Sequence, residues 1–290
     1  MLVRGSSCTT SMIESGFFMG SRASLTDYKL RLAASFDIRA NYDDEYTVSR
    51  ATKLVELAQL KDGHSVLDLA TGTGIVAVAA ARAVGAEGNV IGVDISPGML
   101  DQARKKIRAE GLQKIELIEA DVESLNFEAE SFDAIVCSSA LMWLTDIPAT
   151  LRNCRTWLKT GGLLAFSRYS ESSFMIPLLV RACARFGISL PNCNEPLGTH
   201  ERCRELAQEA GFDKIDIRTE QFSSYLRRND GEWQWNGDSN WIDPRGNPLA
   251  RFSSERLREM RAAYESEIDG LATDQGFWHE ITMFLVMVRK

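Results

Sequence analysis

The sequence predicts an α/β domain, a mostly parallel sheet with helices on both faces. Two observations predict it. Short apolar runs alternate with helix-like stretches along residues 64–167, the pattern of βαβ units. The first run ends in a glycine turn, TGTG at 71–74, that leads into an alanine-rich stretch. Right-handed crossovers then distribute the helices over both faces of the sheet.

Residues 1–22 are rich in Ser, Thr and Gly and read as a mobile tail. Helices are expected over Leu25–Phe36 and Tyr46–Leu60; the second carries an apolar stripe of Val48, Ala51, Leu54, Val55 and Ala58. His64–Ala70 is the first strand, and Ile75–Val84 the helix after the glycine turn. Asn89–Asp94 is the second strand. Ser96 caps a helix that runs from Pro97 to about Glu110. Ile115–Ala120, Phe132–Cys137 and Leu163–Ser167 are the next strands, with a helix over Ile147–Leu158 before Gly161 and Gly162. Helices follow at 173–187 and 199–210, then strands at Asp213–Phe222 and Ile281–Val288. Between those strands, 223–278 holds Trp233, Trp235, Trp241 and Trp278 and an amphipathic helix over Ser254–Ile268. No repeat or Pro/Gly linker divides the chain, so 23–290 reads as one domain with 223–278 as a cover.

Composition narrows the function. The chain has 290 residues, 44% hydrophobic and 25% charged, as in ordinary globular proteins. Its net charge of −7 disfavours a nucleic-acid partner. The densest basic stretch, Arg104 to Arg108, is flanked by Asp101 and Glu110 at the spacing of a solvated helix face. No apolar run reaches the roughly 20 residues needed to cross a bilayer, and the first 20 residues lack a signal core. A cytoplasmic enzyme without a membrane partner is expected, and the oligomeric state stays open. The six cysteines form no C-x-x-C pair and the three histidines are far apart, so no metal site is expected.

Chemistry concentrates in the run VLDLATGTG at 66–74. Glycines at a strand-to-helix turn let a ligand approach the backbone and the helix N–H groups. Gly72, Gly74 and Ala77, with Asp94 about 20 positions on, also satisfy a dinucleotide fingerprint, so a nicotinamide cofactor stays open. Asp68 points elsewhere. A carboxylate just before the loop repels a pyrophosphate and suits a ligand carrying positive charge. Asp121 ends the third strand, where it can meet an adenine amino group while the Val122 N–H bonds the ring; it can equally cap the next turn. Ile95 and Met99 can flank a purine, and Met99 can equally be core. Ser138 arrives at the carboxyl edge of the sheet, where open α/β folds bind ligands.

Together these residues resemble the class I S-adenosylmethionine (SAM)-dependent methyltransferases, in particular the group of ubiquinone and menaquinone biosynthesis C-methyltransferases and natural-product methyltransferases. The similarity covers about residues 36–169: Phe36, Asp37 and Ala40, then Val66–Gly74, Val90–Met99, Glu119–Val122, Phe132–Leu144 and Trp157–Ser167. Ala210–Phe212 and Phe284–Lys290 are similar to the group's last strands. The resemblance implies a Rossmann-like sheet of seven strands, the last antiparallel. It implies SAM as cofactor, its methionine part held by Asp68 and the loop backbone of Ala70, Gly72 and Gly74. Asp94 would take the ribose hydroxyls, Ile95 and Met99 the adenine faces, and Asp121 and Val122 the adenine edge. Ser138 would lie near the methionine end, with Tyr42 closing over the cofactor. Many members carry His where Met142 stands, so the resemblance supplies no base there.

A small acceptor follows, aromatic or hydrophobic, of secondary-metabolite or quinone type, methylated on O, N or C. Met142, Trp143, Trp235 and Trp241 are the candidate acceptor contacts. Trp235 and Trp241 lie in a polar, Gly- and Asn-rich stretch, which suits a pocket lid or, alternatively, a loop anchor. His279 and Tyr42 are the candidate catalytic groups. His200 follows Thr199 at a helix start and reads as a helix-end residue. Two rivals remain: a nicotinamide-dependent oxidoreductase, separated by which nucleotide stabilises the fold, and a SAM-binding relative that does not methylate, separated by whether S-adenosylhomocysteine forms.

Overall fold

A computed structural model describes residues 26–40, 42–228, 233, 235, 237–238 and 241–290. The expected tail, 1–22, and Leu25 lie outside the described residues. Helix α1 (Asp27–Asp37) starts at Thr26, whose side chain accepts from the Lys29 N–H. Helix α2 (Glu45–Ala58) is capped by Asp44 and buries Ala51, Leu54, Val55 and Ala58 of the expected stripe, while Val48 is half-buried. The βα core follows as β1 (Ser65–Leu69), α3 (Ile75–Val84), β2 (Asn89–Asp94), α4 (Pro97–Ala109), β3 (Ile115–Glu119), β4 (Phe132–Ser138), α5 (Ile147–Trp157) and β5 (Leu158–Tyr169). Then come α6 (Ile176–Ala184), α7 (His200–Glu209), β6 (Lys214–Gln221), β7 (Ser224–Leu226), α8 (Ser254–Leu271), β8 (Phe277–His279) and β9 (Thr282–Arg289).

Seven strands form one sheet in the order β3-β2-β1-β4-β5-β9-β6. Strands β1 to β5 are parallel, and β9 runs antiparallel between β5 and β6. This is the Rossmann-like sheet the resemblance implied. Chain order reverses between the adjacent strands β1 and β4, which opens a crevice at the carboxyl ends of the strands. Side chains of β1 alternate between the faces: Val66 joins a cluster with Leu54, Ala80 and Leu285, and Leu67 joins one with Ile135, Trp157 and Phe166. Full burial of Leu67 or Ile135 is worth about 1.5–3 kcal/mol each, so the sheet centre is firmly fixed.

Three elements differ from expectation. Strand β5 begins at Leu158, not Leu163, because Leu158 pairs with Phe132 and the register shift is absorbed before Ala134. The expected helix 173–187 breaks into a short 3-10 turn, Ser173–Met175, and then α6. Phe174 and Met175 stand at φ 66 and 60, left-handed values that end the turn before Pro177 starts α6. In the segment 223–278, β7 and β8 pair as a separate two-stranded sheet, and α8 packs on α6. Leu178, Leu179, Met260, Tyr264 and Ile268 make that contact a third apolar cluster.

Candidate active site

A cavity of about 520 Å³ opens at the carboxyl edge of the sheet, within the range of small-molecule sites. Asp68, Ala70, Gly72, Asp94, Ile95, Met99, Asp121, Val122 and Ser138 all line it, as do Tyr42, Met142 and Trp143. Gly74 is the one expected cofactor residue outside the lining. It stands at φ 78 as the first cap of α3, and a Cβ there would lie 3.0 Å from the Cβ of Ala103. Gly74 therefore serves close packing of the loop against α4.

The loop is held by its own strand ends. The Thr71 N–H donates to the Val93 carbonyl at 2.8 Å, and the Gly72 N–H to Asp94 Oδ2 at 2.8 Å. Ala70 and Gly72 both take positive φ, 53 and 57. Space beyond Gly72 is open, so a ligand can approach its backbone. Asp68 is buried and accepts from Thr71 Oγ1 at 2.5 Å. Burial lifts its carboxyl to about 7, and the nearby Asp94 adds to the rise. Burial also lifts Asp94 to about 6, although the N–H groups of Ser96 and Gly72 pull it down. Two carboxyls raised by desolvation on one wall fit a ligand that brings positive charge and hydroxyl donors.

The N-terminal helices close the same wall. Asp37 accepts from Ser96 Oγ at 2.6 Å and the Gly98 N–H at 3.0 Å. A side chain at Gly98 would strike the Asp37 backbone at 2.8 Å, which explains the glycine. Asp43 takes Thr73 Oγ1 and pairs with Lys106 at 2.5 Å. Lys29 is buried in α1 and pairs with Asp121 and, at 2.6 Å, with Glu123. Asp121 also accepts from the Glu123 N–H at 3.0 Å, so it caps the turn while lining the cavity. Sequence reasoning missed Lys29 and Asp43. Asp37 stood in the lead-in run, but its helix-capping role on Ser96 had no local signal.

The far half of the cavity is aromatic. Phe36 meets Tyr42 and Trp143 edge-on, with centroids 6.2 and 6.1 Å apart. Tyr169 and Phe174 stack edge-on at 4.5 Å, and Arg50, Ile176, Cys193 and Asn194 complete this part of the lining. Burial holds the Tyr42 hydroxyl above its usual range. Three expected residues are elsewhere. Trp235 meets Tyr264 at 5.3 Å, and both Trp235 and Trp241 pack on the α6–α8 cluster rather than in the cavity. The apolar α6–α8 contact, not the sheet edge, takes up their rings, so the loop-anchor alternative describes their placement. His279 lies on β8 beside Phe174, centroids 6.0 Å apart, and outside the lining. Burial and then Arg50 lower its pKa. His200 begins α7 as expected and bonds Thr219 Oγ1 at 2.9 Å.

The fold and the cavity define an α/β protein with an acidic small-molecule site at the carboxyl edge of its sheet, and comparison with known proteins settles the class. A family model described as a methyltransferase domain matches residues 66–162. The chain belongs to the class I SAM-dependent methyltransferases, and SAM is its cofactor. Within that class it is 34% identical over 146 residues to aklanonic acid methyltransferase DauC of Streptomyces sp. (strain C5); the match covers 49% of this chain and 66% of that protein, just under two thirds of its length. It is 32% identical over 179 residues to the ubiquinone/menaquinone biosynthesis C-methyltransferase UbiE of Klebsiella pneumoniae subsp. pneumoniae, covering 56% of this chain and 71% of that protein. The YcgJ protein of Bacillus subtilis shares the fold, with a TM-score of 0.57 at 16% identity over 83% of this chain and 98% of that one.

Proposed function

We propose that the enzyme methylates a small hydrophobic or aromatic metabolite held against Tyr42, Trp143, Tyr169 and Phe174. The observation that carries this is one cavity joining the acidic wall of Asp68 and Asp94 to the aromatic wall. The names of the two relatives, an acid methyltransferase and a quinone-biosynthesis methyltransferase, support a small organic acceptor. The net charge of −7 supports a small molecule over a nucleic acid. Among the described residues no helix is long and apolar enough to cross a membrane, which is compatible with the cytoplasmic placement we favour.

SAM supplies an electrophilic methyl group on a sulfonium. In this reading Asp68, with the backbone of Ala70 and Gly72, holds the cationic methionine end, and Ser138 adds a hydroxyl there. Asp94 accepts the ribose hydroxyls. Ile95, Met99 and Val122 surround the adenine, and Asp121 meets its amino group. Tyr42 from the N-terminal segment and Trp143 from the turn after β4 close the cavity and exclude water, while Met142 gives the acceptor an apolar floor. The protein's contribution is alignment of nucleophile and methyl in a dry site. No histidine lines the cavity among the described residues, so a mechanism that needs an imidazole base is disfavoured.

The test is incubation with SAM and a metabolite extract, reading S-adenosylhomocysteine and masses raised by one methylene. Acceptor-dependent S-adenosylhomocysteine is the expected result. SAM binding without turnover on any fraction would instead point to a non-methylating relative.

A further inference from the structure

Arg39 and Arg50 line the acceptor half of the cavity and Arg168 lies behind it, none with a carboxylate in salt-bridge range among the described residues; Arg39 is exposed and sits over the Phe36 ring at 4.2 Å. Arg50, on α2, lines the cavity. Its Nε donates to the Tyr46 carbonyl at 3.0 Å, and its guanidinium faces the rings of Tyr169 and Phe222 at 5.7 and 5.9 Å. The acid that feels Arg50, Asp44, is exposed and engaged by the Thr47 N–H at 2.7 Å. Arg168, on β5, is 0% exposed. Its Nη1 lies 3.2 Å from Met142 Sδ and its Nη2 donates to the Cys193 carbonyl at 2.6 Å, and both residues line the cavity. The Nε of Arg168 bonds nothing, and neither does Nδ2 of Asn194, which is fully buried and also lines the cavity.

A buried guanidinium with no counter-anion is costly, and burial has already lowered Arg168 to about 10. Two donors left unbonded beside the same cavity add to that cost. An anion in the acceptor half would meet Arg50 and the free Asn194 Nδ2 directly and would offset part of the Arg168 cost through the potential behind Met142 and Cys193. The acidic groups of the lining are Asp68, Asp94, Asp121 and Glu123; Asp68 and Asp94 belong to the loop wall, and Asp121 and Glu123 are paired with Lys29.

We infer that the acceptor is an organic anion, a carboxylate or an acidic phenolate, docked on Arg50 with Arg168 and Asn194 behind it. The inference rests on the methyl-transfer reading and names its substrate class. Arg50 touches the acceptor; Arg168 is a positioning residue that sets the positive potential behind Met142. An oxygen that arrives ionised needs no base. Its lone pair forms the O–CH3 bond while the C–S bond breaks and that pair returns to sulfur. The anion and the sulfonium are neutralised together, and no proton moves.

The test compares binding of 2-naphthoate and of its neutral analogue 2-naphthamide to enzyme saturated with S-adenosylhomocysteine. Naphthoate should bind about ten- to hundredfold more tightly, as loss of a charge-assisted bond implies. R50Q should erase the preference for the acid over the amide, R50K should restore part of it, and R168M should weaken it. Equal binding of acid and amide, no binding of naphthoate at millimolar concentration, or a preference that survives R50Q overturns the inference. Binding of S-adenosylhomocysteine to each variant checks the fold; its failure in the wild type would count against the methyl-transfer reading instead.

Discussion

Asp68 and Asp94 are acids that the cofactor would recruit as anions. Burial raises them to about 7 and about 6, so below neutrality each holds a proton for part of the time. A cation beside Asp68 favours its ionised form, so SAM binding should release a proton below about pH 7. SAM affinity should therefore rise as pH rises from about 5.5 to 7.5. Calorimetry at pH 6.5 in two buffers of different ionisation enthalpy measures the proton; D68N should bind SAM more weakly and release less. A wild type that exchanges no proton would detach Asp68 from the cationic end. If Asp94 accepts the two ribose hydroxyls as proposed, Asp94→Ala should lower SAM affinity about ten- to hundredfold. Unchanged affinity in a folded variant would place the ribose elsewhere.

Local chemistry decides which elements could be read from sequence. Helix α3 and strand β2 fall at the expected residues, because Gly74 and Gly85 take positive φ at the ends of α3 and Asp94 closes β2. Ser96 and Pro97 likewise start α4 where the capping rule puts it. The start of strand β5 has no local sequence signal, since its first residues are held by Phe132 on one side and Lys290 on the other. The site divides the same way. The loop and strand-end acids come from one continuous stretch and are legible as spacing. The aromatic half of the cavity gathers Arg50, Tyr169, Phe174 and Asn194 from distant segments, and no spacing rule joins them. Trp235 and Trp241 misled because a polar stretch does not reveal the α6–α8 surface that receives them. Helix α1 is a strap held by Lys29 on Asp121 and Glu123 and by the Tyr28 hydroxyl on the Trp143 carbonyl at 3.1 Å. Lys29→Met removes the cation from two half-buried carboxylates, which keep the Glu123, Thr145 and Asp146 N–H donors, so the loss should be about 1.5–3 kcal/mol. Limited proteolysis should then cut within α1 faster than in the wild type. Equal cutting rates would mean that packing, not the ion pair, holds the strap.

Across the whole molecule the same two acids tie stability to pH. Both carboxyls are raised above the 3.8 of a free aspartate, so the folded chain keeps protons that the unfolded chain has lost. Stability from these groups is fully present below about pH 4 and is lost as pH rises toward 6 for Asp94 and 7 for Asp68. Within that window each group costs at most about 1.4 kcal/mol per pH unit. Other acids work in the opposite direction. Asp133, for example, is lowered by the Lys159 ammonium and the Ser65 N–H despite its partial burial, so the bare pH profile mixes both signs. The comparison with D68N isolates one group, because the amide keeps the size of the side chain and its bond from Thr71. Urea unfolding without ligand should give a wild type that loses more stability between pH 5 and 7.5 than D68N does. Saturating SAM should reverse this, because the bound cation makes the ionised carboxylate the favoured form and D68N cannot supply it. The stabilisation by SAM should then be larger at pH 8 than at pH 5.5 in the wild type and nearly flat in D68N. Parallel pH profiles for the two proteins, with and without SAM, would mean that Asp68 stays ionised in the folded chain throughout and that its burial is compensated by groups other than the cofactor.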